Sequence, residues 1–114
     1  MRESYCPDQG DLVWINFTPQ AGREQSGERP ALTLSPGSYN RKIGLAIFCP
    51  ITTQIKDYPF EVLIPEGLKV RGVILSDQVR NLDWRIRHTR FCCKLPHSIL
   101  AEVLSRINAL FRMD

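Results

Sequence analysis

The strongest constraint in this sequence is a change of period at Pro96. Beyond it, Ile99, Leu100, Val103, Leu104, Ile107, Leu110 and Phe111 recur at spacings of three and four, the pattern of an amphipathic helix. A proline is tolerated in the first turn of such a helix, and the run predicts about four turns. Before Pro96 that rhythm is absent. Short apolar runs bounded by Pro and Gly stand in its place: 11–17, closed by Thr18-Pro19; 30–34, stopped by Ser35-Pro36-Gly37; 43–49, ended by Pro50; 60–64 and 72–75 around Pro65-Glu66-Gly67; and a last run from Arg85 to Lys94. Each reads as a strand, and the continuously apolar 43–49 reads as one covered on both sides. Five or six short strands followed by one helix predict a mainly β fold, a small and strongly bent antiparallel barrel with the C-terminal α-helix packed against it. At 114 residues the chain is expected to form a single domain, 1–114, able to build a core without disulfide staples.

Several function classes are excluded by what the runs lack. None approaches the roughly 18 apolar residues of a membrane span, and Met1-Arg2-Glu3-Ser4-Tyr5-Cys6-Pro7 has no apolar stretch of a secretion signal. A cytoplasmic protein without membrane contact is expected. Cys6, Cys49, Cys92 and Cys93 form no C-x-x-C pair, and adjacent Cys92 and Cys93 point to opposite faces of a strand. His88 and His97 stand far from such a cluster. Buried reduced thiols are expected, and neither a metal nor any other cofactor.

The formal charge of +3 conceals an asymmetry. Residues 1–60 hold six basic and six acidic side chains, whereas 61–114 hold nine and six. Within the second half Arg80, Arg85, Arg87, Arg90 and Lys94 are answered locally only by Asp83. Such an excess suits phosphates or an acidic protein segment; a solvated strand face explains it equally well.

Four polar segments interrupt the apolar pattern. Thr18 to Glu28 joins two strands by eleven residues, where hairpin loops usually take about two to five. Its Gly22 and Gly27 permit unusual backbone angles, and Arg23, Glu24, Gln25, Glu28 and Arg29 favour a functional flap over a surface insertion. Glu28-Arg29-Pro30 ends it, and the proline restricts Arg29 to extended backbone. A guanidinium held that way can grip a phosphate with a planar fork of donors, although by spacing alone a salt bridge to Glu24 or Glu28 is the better reading. Pro50-Ile51-Thr52-Thr53-Gln54 leaves the end of a buried strand, where Thr52 and Thr53 alternate in direction and could equally serve the turn itself. Ser76-Asp77-Gln78-Val79-Arg80-Asn81 follows another apolar run. Its amide and carboxylate groups suit base edges or the capping of a short turn.

The order of these segments is recognisable. The sequence resembles the MazF/PemK family of toxin ribonucleases from bacterial toxin and antitoxin pairs, in the blocks Pro7 to Trp14, Gly22 to Pro30, Leu34-Ser35-Pro36, Pro50 to Gln54, Tyr58-Pro59-Phe60-Glu61-Val62 and Asp77-Gln78-Val79-Arg80. The resemblance implies a homodimeric, metal-independent endoribonuclease on an SH3-like, CcdB/PemK-like barrel. It implies cleavage of single-stranded RNA, messenger RNA included, at short sequences, which blocks translation until an acidic, MazE-like antitoxin binds. In the family reaction the ribose 2′-hydroxyl attacks the neighbouring phosphorus and leaves a 2′,3′-cyclic phosphate and a 5′-hydroxyl. An internal nucleophile of that kind needs no catalytic Ser, Cys or metal-bound water.

Carried over position by position, the family arginine falls on Arg29 and the threonine on Thr52. Arg29 would stabilise the phosphorane charge and protonate the leaving oxygen, while Thr52 would hold the phosphate in line. An arginine is a poor proton acceptor, so Glu24 is the candidate base or loop organiser, ranked below the other two. The additional arginine that some members place two positions before the D-Q aspartate is Leu75 here, which shifts the load to Arg29. Phe17, Gln25, Gln54, Lys56, Asp77 and Gln78 would form the base-reading pocket, with Arg87 on a phosphate. Phe17 fits a core position as well as a stacking platform. For the antitoxin, the basic residues 80–94 and the long loop offer a groove. The alternative is a noncatalytic barrel that binds and poisons DNA gyrase, as related CcdB-like toxins do.

Overall fold

The structure, a computed structural model, describes residues 5–17 and 27–113. Its elements in chain order are β1 (Asp11–Asn16), β2 (Glu28–Thr33), α1 (Gly37–Ile43), β3 (Ala46–Thr52), β4 (Glu61–Leu63), β5 (Val73–Leu75), β6 (Arg80–Leu82), β7 (Arg90–Lys94) and α2 (His97–Ala109). The strands run in the order β4-β5-β3-β2-β1-β7, with β6 also on β3, and every pairing is antiparallel. This is the expected bent β fold with its C-terminal helix.

Strand alternation explains why the central strands are apolar on both sides. Leu12 of β1 joins Leu32, Cys49, Ile51 and Ile74 in one cluster, while Val13 and Ile15 join Ala31, Ala46, Phe48 and Trp84 in another. The β1–β2–β3 layer is therefore covered on both faces. α2 closes the first cluster with Leu100 and Val103, and Trp84 closes the second while donating its indole N–H to the Asn40 carbonyl at 3.0 Å. Full burial of Leu12, Ile15, Leu32 and Phe48 stabilises the fold by about 1.5–3 kcal/mol each. Cys49 lies in this core, and burial pushes its thiol up to about 12.

Several boundaries differ from the sequence expectation. α1 is a helix where the sequence suggested only a turn and the beginning of a strand. Gly44 ends it at φ +83° with its N–H on the Asn40 carbonyl, so the strand expected over 43–49 starts at Ala46. Pro36, at the N-cap of α1, offers no capping side chain; Asp8 does so instead, accepting the Gly37 N–H at 2.7 Å from twenty-nine residues away in sequence. β6 was not expected. The strand expected from Arg85 shrinks to β7, because Asp83 caps a turn over 84–88 by accepting the Arg85 N–H. On α2 the apolar face is partly unused, with Leu104 exposed, and Leu110 and Phe111 lie past the helix end.

Pro50 does not end β3. It ends one of its two pairings. β3 follows β2 through Thr33↔Phe48, Leu32↔Cys49 and Ala31↔Pro50, then leaves it and pairs with β5 through Ile51↔Ile74 and Thr52↔Val73. Pro30 and Pro50 both lack a backbone N–H, which favours a parting of the strands at this point. β2 meanwhile stays on β1 as far as Asn16↔Glu28. The sheet forks there.

Candidate active site

The fork sets the geometry of the two residues singled out for chemistry. Continuing the β2–β3 register by two positions from Ala31↔Pro50 puts Arg29 across from Thr52, and with the strands parted there both border a single cleft of about 390 Å³. Trp14, Pro30 and Ile51 wall it, and Thr53, Lys69, Val70 and Arg71 complete it. Thr52 is held in two ways. Its Oγ1 accepts the Gln54 N–H at 3.1 Å, which occupies an oxygen lone pair and leaves its own O–H to donate. The turn role and the phosphate role are thus compatible in one hydroxyl. From behind, Gly72 sits at φ +116° so close that a Cβ there would meet the Thr52 carbonyl oxygen at 2.2 Å.

Thr52 also borders a second pocket, about 470 Å³, with Gln54, Lys56, Tyr58, Asp77 and Gln78 in its wall. Asp77 Oδ2 accepts the Tyr58 hydroxyl at 2.7 Å, while its Oδ1 is buried with no partner among the described residues. The bond to Asp77 raises the pKa of the Tyr58 phenol. Glu61 accepts the N–H groups of Lys56 at 3.0 Å and Tyr58 at 3.3 Å, so the rim is built onto β4. Arg106 of α2 donates to the Pro59 carbonyl and ties the same rim to the helix. The pocket sets an exposed phenol ring beside the amide side chains of Gln54 and Gln78, groups suited to the edge of a base.

Of the predicted residues, the structure brings Arg29 to Thr52, and Thr52 to Gln54, Lys56, Asp77 and Gln78. Glu24 and Gln25 lie outside the described residues. Phe17 is half-buried against the second core cluster with the Arg80 guanidinium 5.4 Å from its ring centre, which favours its packing role. Arg87 donates to the carbonyls of Asn16 at 3.2 Å and Phe17 at 2.5 Å, so it secures the end of β1 rather than standing open to a phosphate.

The five cations of the basic segment turn out to be engaged within the fold. Besides Arg80 and Arg87, Arg90 forms a two-pronged pair with Glu28 at 3.0 and 3.1 Å, which raises its pKa. Lys94 Nζ stands 2.6 Å from Asp11. Arg85 donates to the Arg41 carbonyl at 3.1 Å and lies over Trp84. Among the described residues the side chains of Arg29, Lys69 and Arg71 make no hydrogen bond or ion pair. Glu28, the neighbour suspected of neutralising Arg29, is thus taken by Arg90. Lys69, Arg71, Trp14 and Tyr58 were missed as site residues. The available signal was two cations flanking Val70, which is buried to 4% exposure.

The family model for the PemK-like, MazF-like toxin of type II toxin-antitoxin systems matches residues 8–111. The chain belongs to this family. Within the PemK/MazF toxins it is 51% identical over 110 residues to the endoribonuclease toxin MazF of Escherichia coli (strain K12), covering 96% of this chain and 98% of that relative. The crystal structure of MazF from Deinococcus radiodurans superposes with a TM-score of 0.86 at 52% identity, over 96% of this chain and all of that one. A MazE-MazF structure from the same organism gives 0.87 at 46% identity over 97% of this chain and all of that one. Among the described residues no three His, Cys, Asp or Glu side chains come together as metal ligands, and no helix is long and apolar enough to cross a membrane.

Proposed function

We propose that this PemK/MazF family member is the endoribonuclease toxin of a type II toxin-antitoxin system, cutting single-stranded RNA at a short sequence in the cytoplasm. The observation that carries the reading is the fork, where Arg29 and Thr52 border one cleft. With a phosphodiester in that cleft the 2′-oxygen attacks phosphorus, its proton passes to a base, and the P–O5′ bond breaks to leave a 2′,3′-cyclic phosphate. Arg29 stabilises the added charge on the phosphorane and supplies the proton to the departing 5′-oxygen. The Thr52 hydroxyl donates to a phosphate oxygen and keeps attacking and leaving oxygens in line. Glu24 remains the candidate base. Gln54, Lys56, Asp77 and Gln78 read the neighbouring base, with Gln25 as a further candidate for that role; Arg87 is assigned to the scaffold. The chain works as a homodimer, and an acidic MazE-like antitoxin competes with RNA for the cleft.

The test is sequencing of the 5′-hydroxyl ends that purified protein makes on a long mixed RNA in EDTA. Ends clustered at one short motif are expected; intact RNA would overturn the assignment. Arg29→Ala and Thr52→Val should each lower cleavage by about 10²–10⁴ without loss of fold, the scale of removing one preorganised charge or donor, whereas Thr52→Ser should retain most of it. The noncatalytic, gyrase-binding alternative is not favoured, since the relatives named above are ribonucleases and the cleft supplies groups for phosphate chemistry.

A further inference from the structure

The turn between β4 and β5 brings two cations that the reaction as described does not use. Lys69 and Arg71 are exposed, flank buried Val70, and border the same cleft as Arg29 and Thr52. Neither side chain has a hydrogen-bonding or ionic partner among the described residues, whereas Arg90 and Lys94 of the basic segment are each paired with a carboxylate. Three cations around one cleft repel one another unless an anion enters. The backbone beneath them is fixed: Gly72, next to Arg71, packs against the Thr52 carbonyl and accepts the Ile64 N–H at 2.9 Å.

Resting on the RNA-cleaving reading, we propose that Lys69 and Arg71 form a backbone-phosphate subsite that holds the phosphodiester adjacent to the scissile one. Their long side chains are untethered, so they attract charge without being preorganised around a transition state. Interactions of that kind strengthen ground state and transition state alike, and so act on affinity rather than on the chemical step. Each phosphate neutralised on a single strand adds about 0.7 to the slope of log affinity against log salt.

The experiment measures binding of a mixed-sequence 20-nucleotide single-stranded DNA, which has every phosphate but no 2′-hydroxyl to react, across a salt series. It is paired with RNA cleavage over a range of substrate concentrations up to saturation. Lys69→Ala/Arg71→Ala is expected to weaken DNA binding about three- to thirtyfold at low salt and to reduce the salt slope by about 0.7, with kcat on RNA unchanged. The charge-retaining Lys69→Arg/Arg71→Lys pair should keep both affinity and slope, and Lys42→Ala on α1 should change neither. An unaltered slope in the double alanine variant overturns the proposal. So does a fall in kcat at constant KM, which would make the pair part of the chemical step. If the slope falls as expected but the wild-type protein cuts no RNA, the subsite stands and the nuclease reading fails.

Discussion

Arg29 illustrates how little a residue's sequence neighbours say about its ionic partners in the fold. By spacing alone it should pair with Glu24 or Glu28; Glu28 is held by Arg90 across the sheet, Glu24 lies outside the described residues, and Arg29 borders the cleft. The converse holds for Arg80, Arg85, Arg87, Arg90 and Lys94. Their charge excess was plain in the sequence, but their partners, Phe17, Arg41, Asn16, Glu28 and Asp11, come from β1 and its end, from β2 and from the helix α1, far away in the chain. Local charge arithmetic cannot see such pairs. Gly72 makes a sharper residue-scale prediction. Gly72→Ala would combine a left-handed backbone with a clash against the Thr52 carbonyl. Chemical denaturation should show a loss of at least about 1–3 kcal/mol, and cleavage should fall with it because Thr52 is displaced.

At the scale of elements, the fold was legible wherever apolar periodicity was strong. β1, the terminal helix and the two strands around Pro65-Glu66-Gly67 lie within a residue or two of expectation. Two elements escaped for different reasons. β6 is three residues of Arg, Asn and Leu with one side chain buried, too short to show a period. α1 lacks an N-capping side chain of its own, since its cap, Asp8, arrives from another part of the chain. That dependence is measurable. Asp8→Ala should cost about 1 kcal/mol, as loss of an N-cap does. The Gly37 N–H, with that of Gln9, holds the Asp8 carboxyl below the usual carboxylate range. The stabilisation is therefore complete above the unfolded value near 3.9 and is lost as pH falls through the lower folded value. Denaturation midpoints measured from pH 6 to pH 2 should decline less steeply for Asp8→Asn than for the parent, and an identical acid limb would refute the assignment.

For the whole molecule, the site was half legible. The sequence marked Arg29, Thr52, Gln54, Lys56, Asp77 and Gln78, and they do gather around two adjoining pockets. It showed Lys69 and Arg71 only as two cations flanking an apolar residue, because their place at the site depends on where the β4–β5 turn lands, and it did not assign Arg87 to the scaffold. The parting of β2 and β3 at Pro30 and Pro50 has a further consequence. β2 and β5 are not neighbours; each touches β3, on separate stretches of it. Under the proposed function, a nucleotide chain lodged between Arg29 and Thr52 would work as a suture across that gap, joining two wings that the polypeptide leaves unstitched. Hydrogen–deuterium exchange should therefore slow in β2 and in β5 together when an uncleavable oligonucleotide is added, and protection confined to one wing would mean that the strand passes along the barrel instead of across its seam.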